Sequence, residues 1–261
     1  MATPPPRFDD GAAYERFMGG WSREAGAIFL DWLSPAPGLA WADIGCGNGV
    51  FTGLVCQRAR PARVEAIDVS EGQLAFARTR PEAACATFRQ GDAMALPYPD
   101  AAFDIAVMTL VIVFLPDPAR GVAEMRRIVR PGATVATYIW DVAAGGFPAQ
   151  PVWAALALLG APQPVPPQAG AAGVEALEAL WRGAGLLDIR QRAISITRRF
   201  ADFETYWQAC QDSTSIRAAL AALAPAEAAK ARAHAQSLVQ MLPDGSVAVD
   251  AHANAIRGRV G

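Results

Sequence analysis

The feature that most constrains this chain is a loop of three glycines between an apolar run and a helical pattern. The loop reads Asp43-Ile-Gly45-Cys-Gly47-Asn-Gly49, and a helical pattern starts at Val50. Glycine permits positive φ and lets the main chain approach a ligand that a Cβ would keep away. The start of the following helix also offers backbone N–H donors without partners inside the helix. The loop therefore predicts an α/β fold with a ligand site at the end of a strand.

Short apolar runs alternate with helical patterns up to about residue 150, which is typical of βαβ units around a parallel sheet. We predict strands at 39–44, 63–69, 86–90, 103–113 and 134–140, and helices near 50–59, 71–80 and 117–129. Asp117 is a candidate N-cap, with Pro118 at the first helical position. Later elements are expected as helices at 152–159, 174–184, 203–210 and 225–241, a strand at 186–197 and an antiparallel edge strand at 246–257.

These elements predict an α/β, doubly wound, Rossmann-like fold with a mostly parallel seven-stranded sheet and helical lid and cap insertions. We expect one structural domain in three parts. Residues 1–38 form N-terminal lid helices, and residues 39–140 form the ligand-binding core. Residues 141–261 hold a cap insertion, the remaining strands and C-terminal helices. The segment 160–173, rich in glycine, proline and alanine, is expected over one end of the sheet.

Composition narrows the function. Apolar residues make up 52% of the chain, and 23 basic against 25 acidic side chains give a net charge of −2. A basic patch of the kind that binds nucleic acid is not expected. No apolar run approaches the roughly 20 residues of a membrane helix, so no membrane insertion is expected. The start Met1–Arg7 lacks the pattern of an export signal, which favours a cytoplasmic location.

Metal and disulfide chemistry are not expected either. Cys46, Cys56, Cys85 and Cys210 are unevenly spaced and form no C-x-x-C pair, so we predict four reduced, buried cysteines. The two histidines lie near the C-terminal end without a second ligand at metal-binding spacing.

Three aspartates lie at the carboxyl ends of three successive predicted strands: Asp43, Asp68 and Asp92. The carboxyl ends of parallel strands meet at one crevice, so these acids are expected to converge there. Asp68 could accept the hydroxyls of a ribose or cap a helix, and Asp92 could accept an adenine amino group or form a turn. Asp43 would oppose a pyrophosphate but suit an ammonium or sulfonium group. In addition, Val50 occupies the third glycine position of the dinucleotide motif, which disfavours NAD.

The whole series of motifs resembles the class I S-adenosyl-L-methionine-dependent methyltransferases, most closely the type 11 group of ubiquinone and menaquinone C-methyltransferases. The resemblance runs from about Tyr14 to Trp140. It rests on the glycine loop, on Asp68-Val-Ser-Glu-Gly-Gln-Leu74, Gly91-Asp-Ala93, Phe103-Asp-Ile105 and the run from Glu124 to Gly132. Two residues depart from the pattern: Asn48 stands where threonine is commoner, and Ala133 replaces a second glycine.

The resemblance implies S-adenosyl-L-methionine as cofactor, S-adenosyl-L-homocysteine as product and a small, apolar or aromatic molecule as methyl acceptor. It implies methionine-side contacts at the glycine loop, ribose contacts at Asp68, adenine contacts at Asp92 and a place beside the sulfonium for Leu110. The expected cofactor residues are Tyr14, Arg23, Asp43, Gly45, Cys46, Gly47, Asn48, Asp68, Val69, Gln73, Gly91, Asp92, Ala93 and Leu110.

Acceptor residues are expected in the leading segment and the cap. The leading segment either closes as a lid or simply packs as an amphipathic helix. The candidates are Phe17, Met18, Trp21, Trp140, Asp141, Phe147, Trp153 and Trp207. Asp141 is a candidate general base, although a carboxylate directly after a strand is more often a turn residue. Methyl transfer from a sulfonium needs no metal or covalent nucleophile, so we assign no catalytic residue.

Two other functions remain open at this stage. A nucleotide-dependent oxidoreductase would bind NAD(P) on a similar sheet and would not respond to S-adenosyl-L-methionine. A non-catalytic module would bind that cofactor tightly without turnover. The sequence does not predict the oligomeric state.

Overall fold

The computed structural model describes residues 10–261, and its strands and helices follow the predicted alternation. The strands are β1 Ala40–Ile44, β2 Arg63–Asp68, β3 Ala86–Gln90, β4 Phe103–Thr109, β5 Val129–Trp140, β6 Leu186–Phe200, β7 Gln240–Met241 and β8 Val247–Val260. The helices are α1 Gly11–Tyr14, α2 Gly20–Leu33, α3 Val50–Arg58, α4 Glu71–Ala77, α5 Pro118–Ile128, α6 Gln150–Ala157, α7 Val174–Gly183, α8 Phe203–Gln211, α9 Thr214–Ala221 and α10 Pro225–Ser237.

One sheet organises the fold, in the order β3-β2-β1-β4-β5-β8-β6, with the two-residue β7 paired to β8. Strands β1 to β5 pair in parallel, and β8 pairs antiparallel with β5 and β6. The predicted Rossmann-like, doubly wound and mostly parallel sheet is confirmed. Seven strands form its continuous order, and β7 is an eighth that the pattern did not predict.

The last strand corrects one prediction. Strand β8 is antiparallel, as expected, but it is not an edge strand, because it pairs with β5 on one side and β6 on the other. The 15-residue β6 takes the edge instead and exposes most of its side chains. The small residues Ala251, Ala253 and Ala255 lie buried along β8. The polar–apolar alternation correctly indicated a strand but not its place in the sheet.

Several boundaries also differ from the predictions. Strand β4 ends at Thr109 rather than at 113, because Leu110 adopts φ +63° and a 3₁₀ turn follows at Ile112–Phe114. Helix α9 was not predicted. Helix α10 ends at Ser237, before β7, whereas the helical pattern extended to 241. The predicted cap at Asp117 is present: its carboxylate accepts the backbone N–H of Arg120 at 3.0 Å.

Residues Gly11–Leu33, which we call the N-terminal run, form one helical stretch that is interrupted by a π-helical turn. Asp10 caps α1 by accepting the N–H of Ala13 at 2.9 Å, and the π turn Glu15–Gly19 joins α1 to α2. Such π turns occur often at functional sites. The export-signal interpretation of Met1–Arg7 lies outside the described residues.

Two of the four cysteines correct another prediction. Cys56 at the end of α3 and Cys85 before β3 form a disulfide with their Cα atoms 5.8 Å apart. Cys56 is half-buried and Cys85 is exposed, whereas Cys46 and Cys210 are free and buried as expected. A separation of 29 residues carries no signal that α3 and the segment before β3 become neighbours. Within residues 10–261, no helix is long and apolar enough to cross a membrane.

Candidate functional site

A cavity of about 450 Å³ lies at the carboxyl ends of the parallel strands. The glycine loop and the end of β2 form one end of its wall. The other parts of the wall come from the N-terminal run, residues 109–114, the end of β5 and the segment after it, α6, residues 163–172 and the start of α9. This is the crevice where open α/β sheets bind their ligands.

The glycine loop contributes Gly45, Cys46, Gly47 and Asn48 to the cavity wall. Gly45, Gly47 and Gly49 have φ values of +69°, +52° and +80°. A Cβ on Gly45 would lie 2.4 Å from a Val111 methyl group, so that position has no room for a side chain. A Cβ on Gly47 would instead find open space, with its nearest neighbour 4.0 Å away. At Gly47 the loop therefore presents bare backbone to whatever occupies the cavity.

Asp68 joins this loop to the end of β2. Its two carboxylate oxygens accept the N–H groups of Gly47 at 2.8 Å and Ser70 at 2.9 Å. Burial raises the pKa of Asp68 even though these backbone donors act to lower it. Each carboxylate oxygen can accept a second hydrogen bond. Asp68 thus holds the loop in shape and keeps acceptor capacity at the cavity wall.

Asp43 lies behind the loop, fully buried and outside the cavity wall. One carboxylate oxygen accepts the Thr52 hydroxyl at 2.6 Å. The other, Oδ1, is buried and finds no hydrogen-bond partner among residues 10–261. Burial raises the pKa of Asp43 to about 7, the nearby charge of Asp68 adds to the rise, and the bond from Thr52 opposes it. A buried acid without a full set of partners suits a site that receives positive charge.

A second part of the wall, which we call the aromatic end, is apolar and aromatic. Phe17 of the π turn and Phe147 after β5 meet edge to face, with ring centroids 6.1 Å apart. Trp140, Trp153 and Leu110 also line the cavity. Leu110 keeps a positive φ, which is strained for a branched residue, and its N–H donates to Tyr138 O at 2.8 Å. Backbone strain of this kind concentrates at functional sites.

The cavity wall includes most of the predicted site residues. The predicted cofactor residues in the wall are Tyr14, Gly45, Cys46, Gly47, Asn48, Asp68, Val69, Gln73 and Leu110, and the predicted acceptor residues in it are Phe17, Met18, Trp140, Phe147 and Trp153. Val69 is 66% exposed, which is unusual for a valine and leaves an apolar surface free at the cavity.

Other predicted site residues lie outside the wall. Gly91, Asp92 and Ala93 follow β3, where the exposed Asp92 carboxylate accepts the N–H of Met94 at 2.8 Å. Arg23 pairs with Glu15 at 2.9 Å rather than reaching into the cavity. Trp21 and Trp207 are buried in the core. Their roles remain predictions.

Asp141 also lies outside the cavity wall and is held by its own neighbours. Its carboxylate accepts the N–H of Ala144 at 3.1 Å and the amide of Asn254 at 3.0 Å. These are the contacts of a turn residue, one of the two interpretations that the sequence left open.

The sequence missed several wall residues that come from distant parts of the chain. Ser213 caps α9, and its hydroxyl lies 3.0 Å from that of Ser215. The composition of 160–173 indicated a covering segment but not which of its side chains reach the cavity. The missed wall residues include Ser22, Ser70, Val111, Phe114, Val142, Gln163, Pro164, Pro166, Ser213 and Ser215.

The fold and this site define an α/β domain with a cavity bounded by a glycine loop and a strand-end aspartate. A family profile described as a methyltransferase domain matches residues 42–137. Residues 42–137 therefore match the methyltransferase domain family, in line with the resemblance to the class I S-adenosyl-L-methionine-dependent methyltransferases of type 11.

Curated relatives match the same part of the chain. The malonyl-[acyl-carrier protein] O-methyltransferase of Serratia marcescens is 37% identical over 113 residues, which is 43% of this chain and 43% of that protein. The ubiquinone/menaquinone biosynthesis C-methyltransferase UbiE of Paracoccus denitrificans is 36% identical over 118 residues, covering 44% and 47%. The chain therefore spans less than half the length of these relatives.

Solved structures match nearly the whole chain and support the fold. A putative methyltransferase from Bacillus halodurans C-125 has a TM-score of 0.58 at 15% identity, covering 90% of this chain and 97% of that one. Phosphoethanolamine N-methyltransferase 2 of Haemonchus contortus, in complex with S-adenosyl-L-methionine, has a TM-score of 0.56 at 18% identity and covers 95% and 56%.

Proposed function

We propose that this chain is an S-adenosyl-L-methionine-dependent methyltransferase that acts on a small, uncharged, apolar or aromatic molecule. One observation carries the proposal. A single cavity joins a glycine-and-aspartate end, which suits the cofactor, to an aromatic end, which suits an acceptor. The oxidoreductase and non-catalytic alternatives find no support in the relatives.

The residues at the first end fit the cofactor. The open space beside Gly47 leaves room for the methionine part, and Asp68 has acceptor capacity for the ribose hydroxyls. Val69 offers an exposed apolar surface for a flat base. The unpartnered Oδ1 of Asp43 and its negative charge favour a cationic ligand over a pyrophosphate. When bound, S-adenosyl-L-methionine supplies a methyl group activated by its sulfonium charge.

The protein's own contribution is to position the acceptor and exclude water. Displacement at a methyl carbon is accelerated chiefly by holding the two reactants in line and close together. Phe17, Phe147 and Trp153 provide rigid apolar walls for that purpose, and the π turn covers the cavity from the N-terminal side. Such enclosure also keeps water away from a reactive sulfonium.

The distribution of charged side chains in the wall favours an uncharged acceptor. Among the described residues of the wall, Asp68 is the one charged side chain, and it lies at the glycine end. A carboxylate or phosphate of an acceptor buried at the aromatic end would need an arginine or lysine partner, and the wall supplies neither within residues 10–261. The wall also includes Ser213 and Ser215, whose hydroxyls suit an oxygen on an otherwise apolar molecule.

The same wall indicates which kind of atom on the acceptor receives the methyl group. His234, His252 and Asp141 lie outside it, so the described wall offers no histidine as a general base. An acceptor that loses its proton readily, such as a phenol, or an electron-rich ring carbon suits this arrangement best. A cytoplasmic location and the absence of a nucleic-acid partner remain part of the proposal.

Methyl transfer from labelled cofactor tests this function. Purified protein is incubated with methyl-labelled S-adenosyl-L-methionine and 2-naphthol, 1,4-naphthohydroquinone or 2-naphthoate. We expect label in an uncharged acceptor, with 2-naphthoate unmodified. Preferred methylation of the carboxylate would contradict the acceptor class. Cofactor binding without transfer to any phenol, hydroquinone or ring carbon in a wider panel would favour a non-catalytic module.

A further inference from the structure

Arg80 is a buried arginine that joins two parts of the cavity's surroundings. Its guanidinium donates to the Glu15 carboxylate of the π turn and, at 2.5 Å, to the main-chain oxygen of Asn48 in the glycine loop. Arg80 is 8% exposed and lies over the ring of Phe76, 5.2 Å from its centroid. Removing one partner of a buried charge pair leaves the other uncompensated and is costly. Arg80 therefore fastens the N-terminal run to the glycine loop.

On the N-terminal run, Glu15 is the residue that pairs with Arg80. Its carboxylate accepts the Asn48 side-chain amide at 3.0 Å and pairs with Arg23 at 2.9 Å. Burial acts to raise the pKa of Glu15, but Arg23 and Arg80 outweigh it and lower that pKa, so the carboxylate stays charged. A Cβ on Gly19 would lie 2.4 Å from this carboxylate, so glycine leaves it room. Asn48 thus donates an amide N–H to Glu15, whereas threonine has no side-chain amide to donate.

The segment 80–85, which we call the latch segment, carries Arg80 at one end and Cys85 at the other. Its middle forms the 3₁₀ turn Pro81–Ala83. The turn packs on α3, since a Cβ on Gly53 would lie 2.7 Å from Glu82. The Cys56–Cys85 disulfide ties its far end to the same helix. Because Cys85 is exposed, the bond is accessible to thiols in solution.

We propose that Arg80 is a positioning residue that holds the N-terminal run closed over the cofactor end, and that the Cys56–Cys85 disulfide keeps Arg80 in place. Reduction of this disulfide then loosens the latch segment, opens the run and weakens cofactor binding. This inference rests on the proposed cofactor site.

The redox step balances with a dithiol as reductant. One thiolate of the dithiol attacks a cystine sulfur, the S–S bond breaks, and a mixed disulfide forms. The second thiol displaces the remaining cysteine. Two electrons and two protons pass to Cys56 and Cys85, which become thiols, and the dithiol becomes a cyclic disulfide.

The test measures S-adenosyl-L-homocysteine binding to the full chain, before and after reduction with dithiothreitol, together with hydrogen exchange in residues 11–19. We expect reduction to weaken binding by about fivefold or more and to speed that exchange. A Cys56→Ser/Cys85→Ser variant should show the weaker binding with or without dithiothreitol. Arg80→Ala should weaken binding and speed exchange with the disulfide intact, and Arg80→Lys should restore part of both.

Arg78→Ala is the matched control, because Arg78 pairs with the exposed Glu71 of α4 rather than with Glu15. Unchanged binding and exchange after reduction, with four thiols titrated in the denatured protein, would overturn the disulfide's role. An equal effect of Arg78→Ala and Arg80→Ala would overturn that of Arg80. If reduction unfolds the chain, binding and exchange in the Arg80 variants with the disulfide intact test whether Arg80 holds the N-terminal run. If the oxidised protein binds no S-adenosyl-L-homocysteine, the proposed function fails, and exchange in residues 11–19 alone decides the latch.

Discussion

The two ends of the cavity are built in different ways. The glycine end comes from one continuous stretch, β1 through the start of α4, and its wall combines the glycine loop with the Asp68 carboxylate at the end of β2. The aromatic end gathers side chains from the π turn, the segment after β5, α6 and the turn before α9. The first end is thus fixed by the sheet, whereas the second depends on how separate segments pack. We expect substitutions at each end to affect one ligand and spare the other.

The largest effect is expected at Asp43. Its pKa of about 7 exceeds the ordinary 3.8, so the carboxyl is harder to ionise in the folded than in the unfolded state. The free energy of unfolding therefore falls as pH rises from 4 to 7, and the loss is complete above pH 7. Asp43→Asn removes that penalty and should stabilise the protein at pH 8 by up to about 4 kcal/mol. The gain should vanish at pH 4. Denaturant titrations of both proteins at pH 4 and pH 8 measure it, and a gain equal at both pH values would contradict the buried charge.

The same acid predicts a pH dependence of cofactor binding. Below pH 7 Asp43 is protonated and attracts a cation less, so affinity for S-adenosyl-L-methionine should rise between pH 6 and pH 8. Calorimetry at pH 7 in buffers of different ionisation enthalpy should detect proton release on binding. Adenosine, which carries no positive charge, is the control. A pH dependence as steep for adenosine would assign it to a group other than Asp43.

Asp68→Ala should weaken cofactor binding by about 1–3 kcal/mol. The substitution removes the carboxylate that accepts hydrogen bonds from the N–H groups of Gly47 and Ser70, and the ligand loses the same acceptor. Asp104→Ala is the matched control. Asp104 also accepts a backbone N–H, from Ala40 at 2.9 Å, but lies at the opposite end of the sheet. A dissociation constant for S-adenosyl-L-homocysteine that Asp68→Ala leaves unchanged would mean that the ribose lies elsewhere.

At the aromatic end, Phe147→Ala should weaken binding of 2-naphthol to the protein saturated with S-adenosyl-L-homocysteine by about 2 kcal/mol, through lost apolar contact. Binding of the cofactor product itself should stay the same. Phe200→Ala serves as control, since Phe200 is half-buried but lies outside the cavity wall. Loss of cofactor affinity in Phe147→Ala alone would show that the two ends are not separate.

The smallest effect is expected at Ser215. Removing its hydroxyl should cost 2-naphthol about 0.5–1.5 kcal/mol, the worth of one uncharged hydrogen bond. Naphthalene, which has no oxygen, should bind Ser215→Ala and the natural protein alike. Ser237→Ala, at an exposed position on α10, provides the control. If naphthalene loses as much affinity as 2-naphthol, the hydroxyl shapes the wall rather than binding an oxygen.

The same contrast explains what the sequence could predict. Strand–loop–helix order, the glycines and Asp68 follow local rules of spacing, so the sheet and the glycine end could be predicted. Ser213 and Ser215 reach the cavity through the packing of α9 against α6, which local pattern does not encode. The pairing of Cys56 with Cys85 likewise depends on the latch segment folding onto α3. Strand β8 alternates like an edge strand, and only tertiary pairing shows it to be internal.

A crystal structure of the complex with S-adenosyl-L-homocysteine tests the division of the cavity most directly. The account predicts the ribose hydroxyls on Asp68, the amino-acid part along Gly45 and Gly47, and the sulfur facing an open space bounded by Phe17, Phe147 and Trp153. A ribose bound away from Asp68, or a sulfur facing solvent with the aromatic end closed off, would contradict it.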